Sequence, residues 1–453
     1  GENMWYHYVG IGGIGMSALA AIMLSKGHKV TGSDLKENFQ TEQLKKQGAT
    51  IFVGHREENV EAPDVVVYTS AVPFDNPERV AARKKHIKEI HRSENLAEIL
   101  NGHYGIAISG AHGKTTTSGM TTYMLRQVGK DPTGIIGGYI PQLQGNFVVG
   151  MSDLVVAESD ESDGSFLNYY PHIGSVSSVD ADHLENFQYN YEKLYEAYKK
   201  FVANIKDLAI ICADEKATLD LAEHAKAKVI TYGLTAGDLR AYDIVEGPVT
   251  TFRVRLKDKD LGIFSLKLPG KHNVANSLVA ISVALELGLD MDAVKHALSE
   301  FSGIGRRFEI RYQVGDTLIV DDYGHHPKEI VATLDAARNR YPEKEIWLCF
   351  QPHRYSRTKL LWGEFIKALS HADKVVVLGI YAPPPEQPIL GVSGAELADE
   401  VAKLGKSAFY AETLEDAAEL VKEKAPKGAL IIAMGAGSVT KLPDLLNLRL
   451  QRS

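Results

Sequence analysis

Cysteine is nearly absent from this 453-residue chain, which has two, Cys212 and Cys349. Each sits in an apolar setting (IICAD and LCFQP) with no second metal ligand nearby, so neither a disulfide framework nor a cysteine metal site is expected. Buried thiols in a reducing compartment are the simpler reading. Long apolar runs are missing too, and no stretch reaches the roughly 18 residues that a membrane-spanning helix needs. Nor is there an excess of positive charge. Lys and Arg number 50 against 58 Asp and Glu, a formal charge of −8, which excludes a surface built to coat nucleic acid but not a local basic pocket. The N-terminus has no basic segment ahead of an apolar one, so no export signal is expected, and Gly1–Asn3 ahead of Met4 read as an added leader. These absences point to a cytoplasmic protein with small-molecule partners, without membrane or nucleic acid. They leave oligomeric state open.

What is present is an ordinary globular composition, 44% apolar and 24% charged, in a chain long enough for about three domains. Three α/β segments can be read. The first, MWYHYVGIGGIGMSALAAIMLSKGHKVTGSD, runs strand, glycine turn, helix (16–25) and strand to Asp34; further apolar runs follow at 49–53 and 64–68. Strands alternating with helical stretches are the pattern of a parallel sheet. A second start comes with YGIAISG, a loop at 110–114 and a helix over 115–127, then strands at 153–159, 172–179, 208–213 and 228–232. The stretch DIVEGPVTTFRVRLKDKDLGIFSLKL reads as an antiparallel appendage turning at 258–262, and a helix over 273–287 closes the segment. The third holds TLIVDDYGHHP, EIWLCFQPH, KVVVLG and ALIIAMGAGS as buried strands, with YAPPPEQP as a stiff loop. The expected domains are 1–97, 98–301 and 302–453, with no internal repeat or low-complexity segment.

Two phosphate-type loops stand about a hundred residues apart. The first fits G-x-G-x-x-G at Gly10, Gly12 and Gly15, between a strand and a helix, with Asp34 closing the next strand. Glycines let the backbone approach a diphosphate, and the helix N-terminus offers amide donors. The spacing alone suggests NAD, supports any diphosphate-linked nucleoside, and is also met in tight turns. The second, ISGAHGKTTTSG at 108–119, ends like a P-loop but has Ile108 where that pattern wants glycine; Gly110 is the nearest. Backbone amides from Gly110 to Lys114 can cradle β- and γ-phosphates, Lys114 adds a point charge, and the Thr115 hydroxyl can bind Mg²⁺. Glu158 ends the strand DLVVAES, where a carboxylate would hold Mg²⁺ beside the γ-phosphate, although heading the run ESDESD it could also be a solvated acid. Asp182 and His183 lie just past another strand, where carboxyl ends face the ligand crevice; a second Mg²⁺ ligand or a phosphate contact is the favoured reading. In the third segment Arg306 and Arg307, Asp321, Asp322, His325 and His326, and His353, Arg354 and Arg357 cluster at strand ends. The planar guanidinium fork suits carboxylates and phosphates there, though such arginines are often plain surface.

With those residues laid out, the chain resembles the Mur ligases nearly end to end. GIGGIGMSALA, TGSD, TSAVPFDNPE, GAHGKTTT, AESDESDGSF, DADHLENF, LPGKHNVANSLVA, GRRFE, VDDYGHHP and QPHRYSR fall in the family's order, and the shortened loop is the family's own form of the ATP site. The resemblance implies three domains: a Rossmann-like N-terminal domain for a UDP-sugar, a central P-loop-type ATPase domain with a parallel sheet, and a Rossmann-like C-terminal domain completing the ATP and amino-acid sites. It implies ATP-dependent ligation of L-alanine to the lactyl carboxylate of UDP-N-acetylmuramate through an acyl phosphate, with two Mg²⁺ ions expected and Mn²⁺ as a substitute. A carboxylate and a triphosphate repel each other, so neutralising charge from Lys114 and the metal is what such chemistry needs.

Carried over by resemblance, Gly12, Gly13, Ile14, Gly15, Met16 and Ser17 would line the UDP diphosphate, with Asp34 and Ser70 at the nucleotide sugar. Gly110, His112, Gly113, Lys114, Thr115 and Thr116 would form the ATP loop; Thr115, Glu158 and His183 would hold metal. His272, Asn273 and Asn276 resemble the adenine-side motif, and Arg307 and Asp322 would meet phosphate and ribose. Tyr323, His325, His353, Arg354 and Arg357 are candidates for the pocket of the amino acid and the substrate carboxylate. Family branches acting later carry a carbamoylated lysine about fifteen residues after the metal-binding histidine; here EAYKKF offers Lys199 or Lys200 only with a shift, and no carbamate is expected. Three other readings remain: a family branch recycling a murein tripeptide onto the same sugar, an NAD-dependent nucleotide-sugar oxidoreductase that leaves GAHGKTTT idle, and a P-loop switch or motor ATPase that leaves the first loop idle.

Overall fold

In the computed structural model, the described residues are 2–163, 165–179, 191–247, 249–268, 270–303, 308–382 and 386–452. They form two compact units, Gly1–Ile304 and Gly305–Ser453. The first unit contains two sheets and the second contains one.

The N-terminal sheet has five parallel strands in the spatial order Thr50–Val53, Lys29–Asp34, Trp5–Val9, Val65–Tyr68, Lys88–His91. The chain starts in the middle, builds outward one way, then returns to build the other. Trp5–Val9 and Val65–Tyr68 therefore flank the point where strand order reverses, and ligand crevices open there at the strands' carboxyl ends. This doubly wound arrangement is Rossmann-like. Helix Ile14–Ser25 follows the first strand and is apolar on nearly every side, with Ala18, Leu19, Ala20 and Ile22 buried. A helix with so weak a polar face is held by burial, at about 1.5–3 kcal/mol for each large aliphatic side chain enclosed.

The second sheet runs in the order Lys259–Leu266, Thr250–Leu256, Leu239–Val245, Lys228–Gly233, Leu208–Cys212, Ile173–Val176, Tyr104–Ser109, Leu154–Glu158, Thr133–Ile140, Gly145–Val148. Its centre is parallel, and the first three strands are joined antiparallel. Central strands such as IAIS and VVA are buried on both faces, which explains their unbroken apolar runs. The antiparallel appendage is where its sequence suggested, but the turn comes earlier than 258–262. Leu256 pairs with Lys259, so the reversal is made by Lys257, whose φ of +52° is left-handed, and Asp258; Gly262 (φ +89°) sits beside a register shift instead. A glycine there marks a bulge, not the turn. Strands Thr133–Ile140 and Gly145–Val148 were not expected from sequence.

The second unit has six strands in the order Glu309–Val314, Thr317–Asp322, Leu430–Met434, Ile346–Phe350, Lys374–Leu378, Ser407–Ala411, all parallel except the first. Helices cover both faces over separate apolar clusters, one including Ile330, Leu334 and Phe365, the other Ala417, Val421 and Leu446. Among the described residues, no helix is long and apolar enough to cross a membrane.

Candidate active site

The first glycine loop is fixed from behind by backbone and by one carboxylate. Gly10 takes φ +85° and, with Ile11, donates its amide to the Ser33 carbonyl of the adjacent strand at 2.8 and 3.0 Å. Gly12 donates to Asp34 Oδ2 at 2.8 Å, while its carbonyl accepts from Asn38 Nδ2 at 2.9 Å. A Cβ on Gly12 would lie 2.8 Å from both side-chain atoms, so the loop closes this tightly only with glycine. Asn38 in turn caps helix Phe39–Lys46. Asp34 thus braces the loop as well as facing the cleft. Gly13 opens helix Ile14–Ser25 with no side-chain cap, its own amide donates to the Gly10 carbonyl at 3.1 Å, and neither of its neighbours in sequence carries charge. Ser17 and Gly12 are buried, and the Ser70 hydroxyl lies 2.9 Å from His91 Nε2.

The second loop follows strand Tyr104–Ser109, between the ends of Ile173–Val176 and Leu154–Glu158. Gly110 (φ +130°) and Gly113 (φ +79°) both take conformations that side chains resist. A Cβ on Gly113 would meet Asn276 Oδ1 at 2.8 Å, and one on Gly110 would meet the Ser177 amide nitrogen at 2.8 Å. The Ala111 amide bonds the Ser178 carbonyl at 2.9 Å, and Ser177 Oγ donates to the His112 carbonyl at 3.0 Å. Gly113 caps helix Lys114–Gln127, so Lys114, Thr115 and Thr116 form its first turn, where free amides and the helix dipole favour anions. Lys114 Nζ donates to the Gly110 carbonyl at 2.6 Å and stands 3.5 Å from Glu161 Oε2. Asn276 donates to Asn273 Oδ1 at 3.2 Å; both lie early in helix Lys271–Glu286, which brings Asn276 against the phosphate loop, with the exposed His272 beside Gly270.

Glu158 is the centre of charge here. Thr115 Oγ1 donates to its Oε1 at 3.0 Å, and the Gly137 amide donates to its Oε2. Burial pushes the carboxyl above its ordinary value, opposed by the Gly137 amide, the Thr115 hydroxyl and Lys114. A carboxylate that burial disfavours and whose neighbours favour its charged form is suited to a cation. Asp160 goes the other way: burial would raise it, but the Ser162 hydroxyl and amide, Lys114 and Arg92 hold it low.

The first loop lines a cleft of about 720 Å³ that Lys114, at the end of the second loop, also reaches. Gly10, Gly13, Gly15 and Met16 form part of its lining, as do Lys114, Glu158 and Gly137; Arg92, Asp160 and Asp163 also face it. Four participants escaped the sequence reading. Arg92 and His55 carry no local motif, Gly137 acts through its backbone, and Glu161 lies inside an acidic run that looks solvated. The glycine pair in TGIIGGYI was the one available signal, since adjacent glycines in a strand mark a close approach of other groups.

The second unit gathers its own set. Asp322 ends strand Thr317–Asp322 and accepts from the amides of Phe308 (2.9 Å) and Gly324 (2.7 Å) and from Thr333 Oγ1 (3.2 Å). Tyr323 donates its hydroxyl to the Ala436 carbonyl at 3.2 Å. The rings of His325 and His353 stand 6.3 Å apart, and His353 stacks on Tyr381 at 5.7 Å. His353 Nδ1 is buried with no hydrogen bond among the described residues. Burial, with Arg357, His325 and Arg354 around it, lowers this imidazole to about 3. Arg354 holds φ +70°, a strained value for a non-glycine residue, and its amide donates to the Tyr381 carbonyl at 2.8 Å. Asp182, His183, Arg306 and Arg307 lie outside the described residues.

The first unit's donors fit a nucleotide triphosphate with a hard cation. The loop glycines leave no room for Cβ atoms, amides open toward an anion, and Thr115 and Glu158 supply oxygen donors. No group of three His, Cys, Asp or Glu is assembled among the described residues. The pairing of Thr115 with Glu158 suits Mg²⁺, which is typically held by one or two carboxylates together with substrate phosphates.

Two glycine loops of the kinds that cradle phosphates, with Lys114 of the second reaching the cleft of the first beside the buried Glu158, have the character of a nucleotide-dependent enzyme. The chain belongs to the Mur ligase family: residues 5–104 match the model for its catalytic domain, 108–284 that for its middle domain and 306–437 that for its glutamate ligase domain. It is 42% identical over 449 residues to UDP-N-acetylmuramate–L-alanine ligase of Trichlorobacter lovleyi, with 98% of each chain covered. Among solved structures it is similar to UDP-N-acetylmuramate–alanine ligase MurC of Thermotoga maritima, with TM-score 0.62, 32% identity, and coverage of 99% of this chain and 100% of that one. A murein peptide ligase of Psychrobacter arcticus shares the fold at 24% identity and TM-score 0.63, covering 100% and 99%.

Proposed function

We propose that this chain joins L-alanine to the lactyl carboxylate of UDP-N-acetylmuramate with ATP, a step of peptidoglycan synthesis. The carrying observation is that the cleft lined by Gly10, Gly13 and Gly15 of the diphosphate-type loop also holds Lys114 of the ATP-type loop, together with Glu158. Such a cleft lets a carboxylate borne by one phosphate ligand reach the terminal phosphate of another. A carboxylate oxygen forms a bond to the γ-phosphorus while the bond to the ADP oxygen breaks. The alanine amine then adds to the acyl carbon, loses a proton, and inorganic phosphate leaves.

Gly12, Gly13, Ile14, Gly15, Met16 and Ser17 belong to the diphosphate wall of this reading, with Asp34 and Ser70 beside it. Gly110, His112, Gly113 and Thr116 shape the ATP loop, and Lys114 orients the γ-phosphate and offsets its charge. Thr115 and Glu158 would hold Mg²⁺, which when bound neutralises charge on the transferring phosphoryl group. Two ions, Mn²⁺ as a substitute, and His183 as a further ligand complete the metal proposal. His272, Asn273 and Asn276 are assigned to the adenine side, and Arg307 and Asp322 to phosphate and ribose. Tyr323, His325, His353, Arg354 and Arg357 are assigned to the amino acid and substrate carboxylate; the strained Arg354 backbone and the unpaired His353 Nδ1 support a binding role there. The proposed domains are 1–97, 98–301 and 302–453, supported by three separate sheets. A cytoplasmic setting suits ATP and a UDP-linked precursor.

No observation favours the tripeptide-recycling branch, the oxidoreductase or a free-standing ATPase. The test is phosphate release from ATP and Mg²⁺ with UDP-N-acetylmuramate, across single amino acids and the murein tripeptide. Release with L-alanine that requires the nucleotide sugar is expected. Release only with the tripeptide, or independent of both, refutes the reading.

A further inference from the structure

The first glycine loop has no cation of its own: from Gly10 to Ser17 every side chain is neutral. A nucleoside diphosphate brings at least two negative charges to it. Among the residues lining the cleft, the cationic types are His55, Arg92 and Lys114, and Lys114 is engaged at the other loop by Gly110 and Glu161. Arg92 is placed differently. It is the first residue of helix Arg92–Asn101, directly after strand Lys88–His91 of the N-terminal sheet. Its stem runs against the glycine loop, so that a Cβ on Gly15 would stand 3.2 Å from Arg92 Cδ. Its Nη2 is held by Asp163 Oδ1 at 2.8 Å, with the guanidinium side chain 27% exposed and the carboxylate 16%. One such bond uses one of a guanidinium's five donors and fixes the plane of the rest.

We infer that Arg92 is the cation that binds the diphosphate on the nucleotide-sugar wall, and that Asp163 positions it. The inference rests on the reading of that wall as a nucleotide-sugar site. Glycine at position 15 then has two tasks: an open approach for phosphate and clearance for the arginine stem. Asp163 belongs to the same acidic run as Glu158 and Glu161, so the clamp ties the sugar-nucleotide wall to the segment that faces Lys114. Arginine suits this place because a planar fork held at one edge presents its other edge to a phosphate oxygen pair, which an ammonium cannot do.

The alternative is a plain strut between the helix and the loop, and direct binding separates the two. Calorimetry of the full chain would compare UDP with uridine, and UDP-N-acetylmuramate with UDP-N-acetylglucosamine, which lacks the carboxylate. Arg92→Gln is expected to weaken UDP and both sugar nucleotides alike, by about 10- to 100-fold as for a lost charge-assisted hydrogen bond, with uridine within about twofold. Arg92→Lys should fall between. Asp163→Asn should weaken UDP by about threefold and add little to Arg92→Gln, as coupled partners do. Unchanged UDP affinity in Arg92→Gln overturns the inference. So does an equal loss for uridine, which marks a strut, or a loss confined to UDP-N-acetylmuramate, which moves Arg92 to the carboxylate. Wild-type protein that binds UDP yet never turns over with L-alanine would refute the ligase reading and leave this assignment standing.

Discussion

Replacing Glu158 with glutamine and with alanine separates the residue's chemical role from its structural one. In the wild type the carboxylate accepts from Thr115 Oγ1 at 3.0 Å and from the Gly137 amide. Glutamine can keep both: its carbonyl accepts from Gly137, and its amide donates to the Thr115 hydroxyl, which turns round to receive it. It also removes a charge that burial disfavours, so the apo protein should be no less stable than wild type at neutral pH. Alanine loses both acceptors and strands the Gly137 amide, costing about 1–3 kcal/mol, or about 2–12 °C at roughly 2–4 °C per kcal/mol. The sign of the pH effect follows. Because the folded carboxyl is raised, its protonated form is favoured in the fold, so its contribution to apo stability is present at low pH and is lost as pH rises through the folded value. Turnover should fall in both variants by about 10²–10³-fold, the scale of losing an electrostatic stabiliser of the transferring group. Thermal unfolding and coupled phosphate release would be measured side by side. If Glu158→Gln melted as low as Glu158→Ala, or kept activity within tenfold of wild type, the reasoning about this site would be wrong.

Lys114→Ala is expected to abolish phosphate release while UDP-sugar affinity, followed by calorimetry, stays within about twofold; a parallel loss of that affinity would mean the two walls are not separate sites. Gly113→Ala forces a side chain into φ +79° and against Asn276, a strain of about 1–2 kcal/mol, and should raise the KM for ATP with little change in that for the nucleotide sugar. His353 is held neutral down to about 3, whereas in the unfolded chain it takes a proton near its ordinary 6.5. Between those values the Gly305–Ser453 unit should therefore lose stability as pH falls, and His353→Asn should flatten that part of a urea-midpoint profile; an unaltered slope counts against the burial argument. For the same reason, the pH dependence of alanine utilisation should show no inflection near 6.5 that disappears in His353→Asn.

Fold class and both loops were legible because glycine patterns and buried strands are local signals. IAIS and VVA read as strands since a parallel sheet covered on both faces requires unbroken apolar runs. The turn at Lys257–Asp258 was misplaced because Gly262, the obvious turn residue, serves a register shift, while Lys257 takes the left-handed conformation itself. Strand Thr133–Ile140 was missed because its glycines weaken the strand pattern, although they let Gly137 reach Glu158. Arg92 and Glu161 were out of reach for another reason. Each acquires meaning only through partners distant in sequence, Asp163 for one and Lys114 for the other, and no spacing rule encodes such pairs. The sequence also suggested Asp34 as a sugar contact, and the structure adds that it braces Gly12.

The shared cleft also bears on inhibition. Its Gly10, Gly13 and Gly15 wall and its Lys114–Glu158 side lie within one compact unit that ends at Ile304. A single molecule bearing an anionic group at each end could therefore engage both loops through residues of that unit alone. Joining two weak ligands with a linker matched to the span makes the second contact intramolecular, and avidity can rise by about 10²–10⁴ without any new interaction. Such a compound would compete with both phosphate-bearing substrates at once, and a substitution restoring binding of one would not restore catalysis.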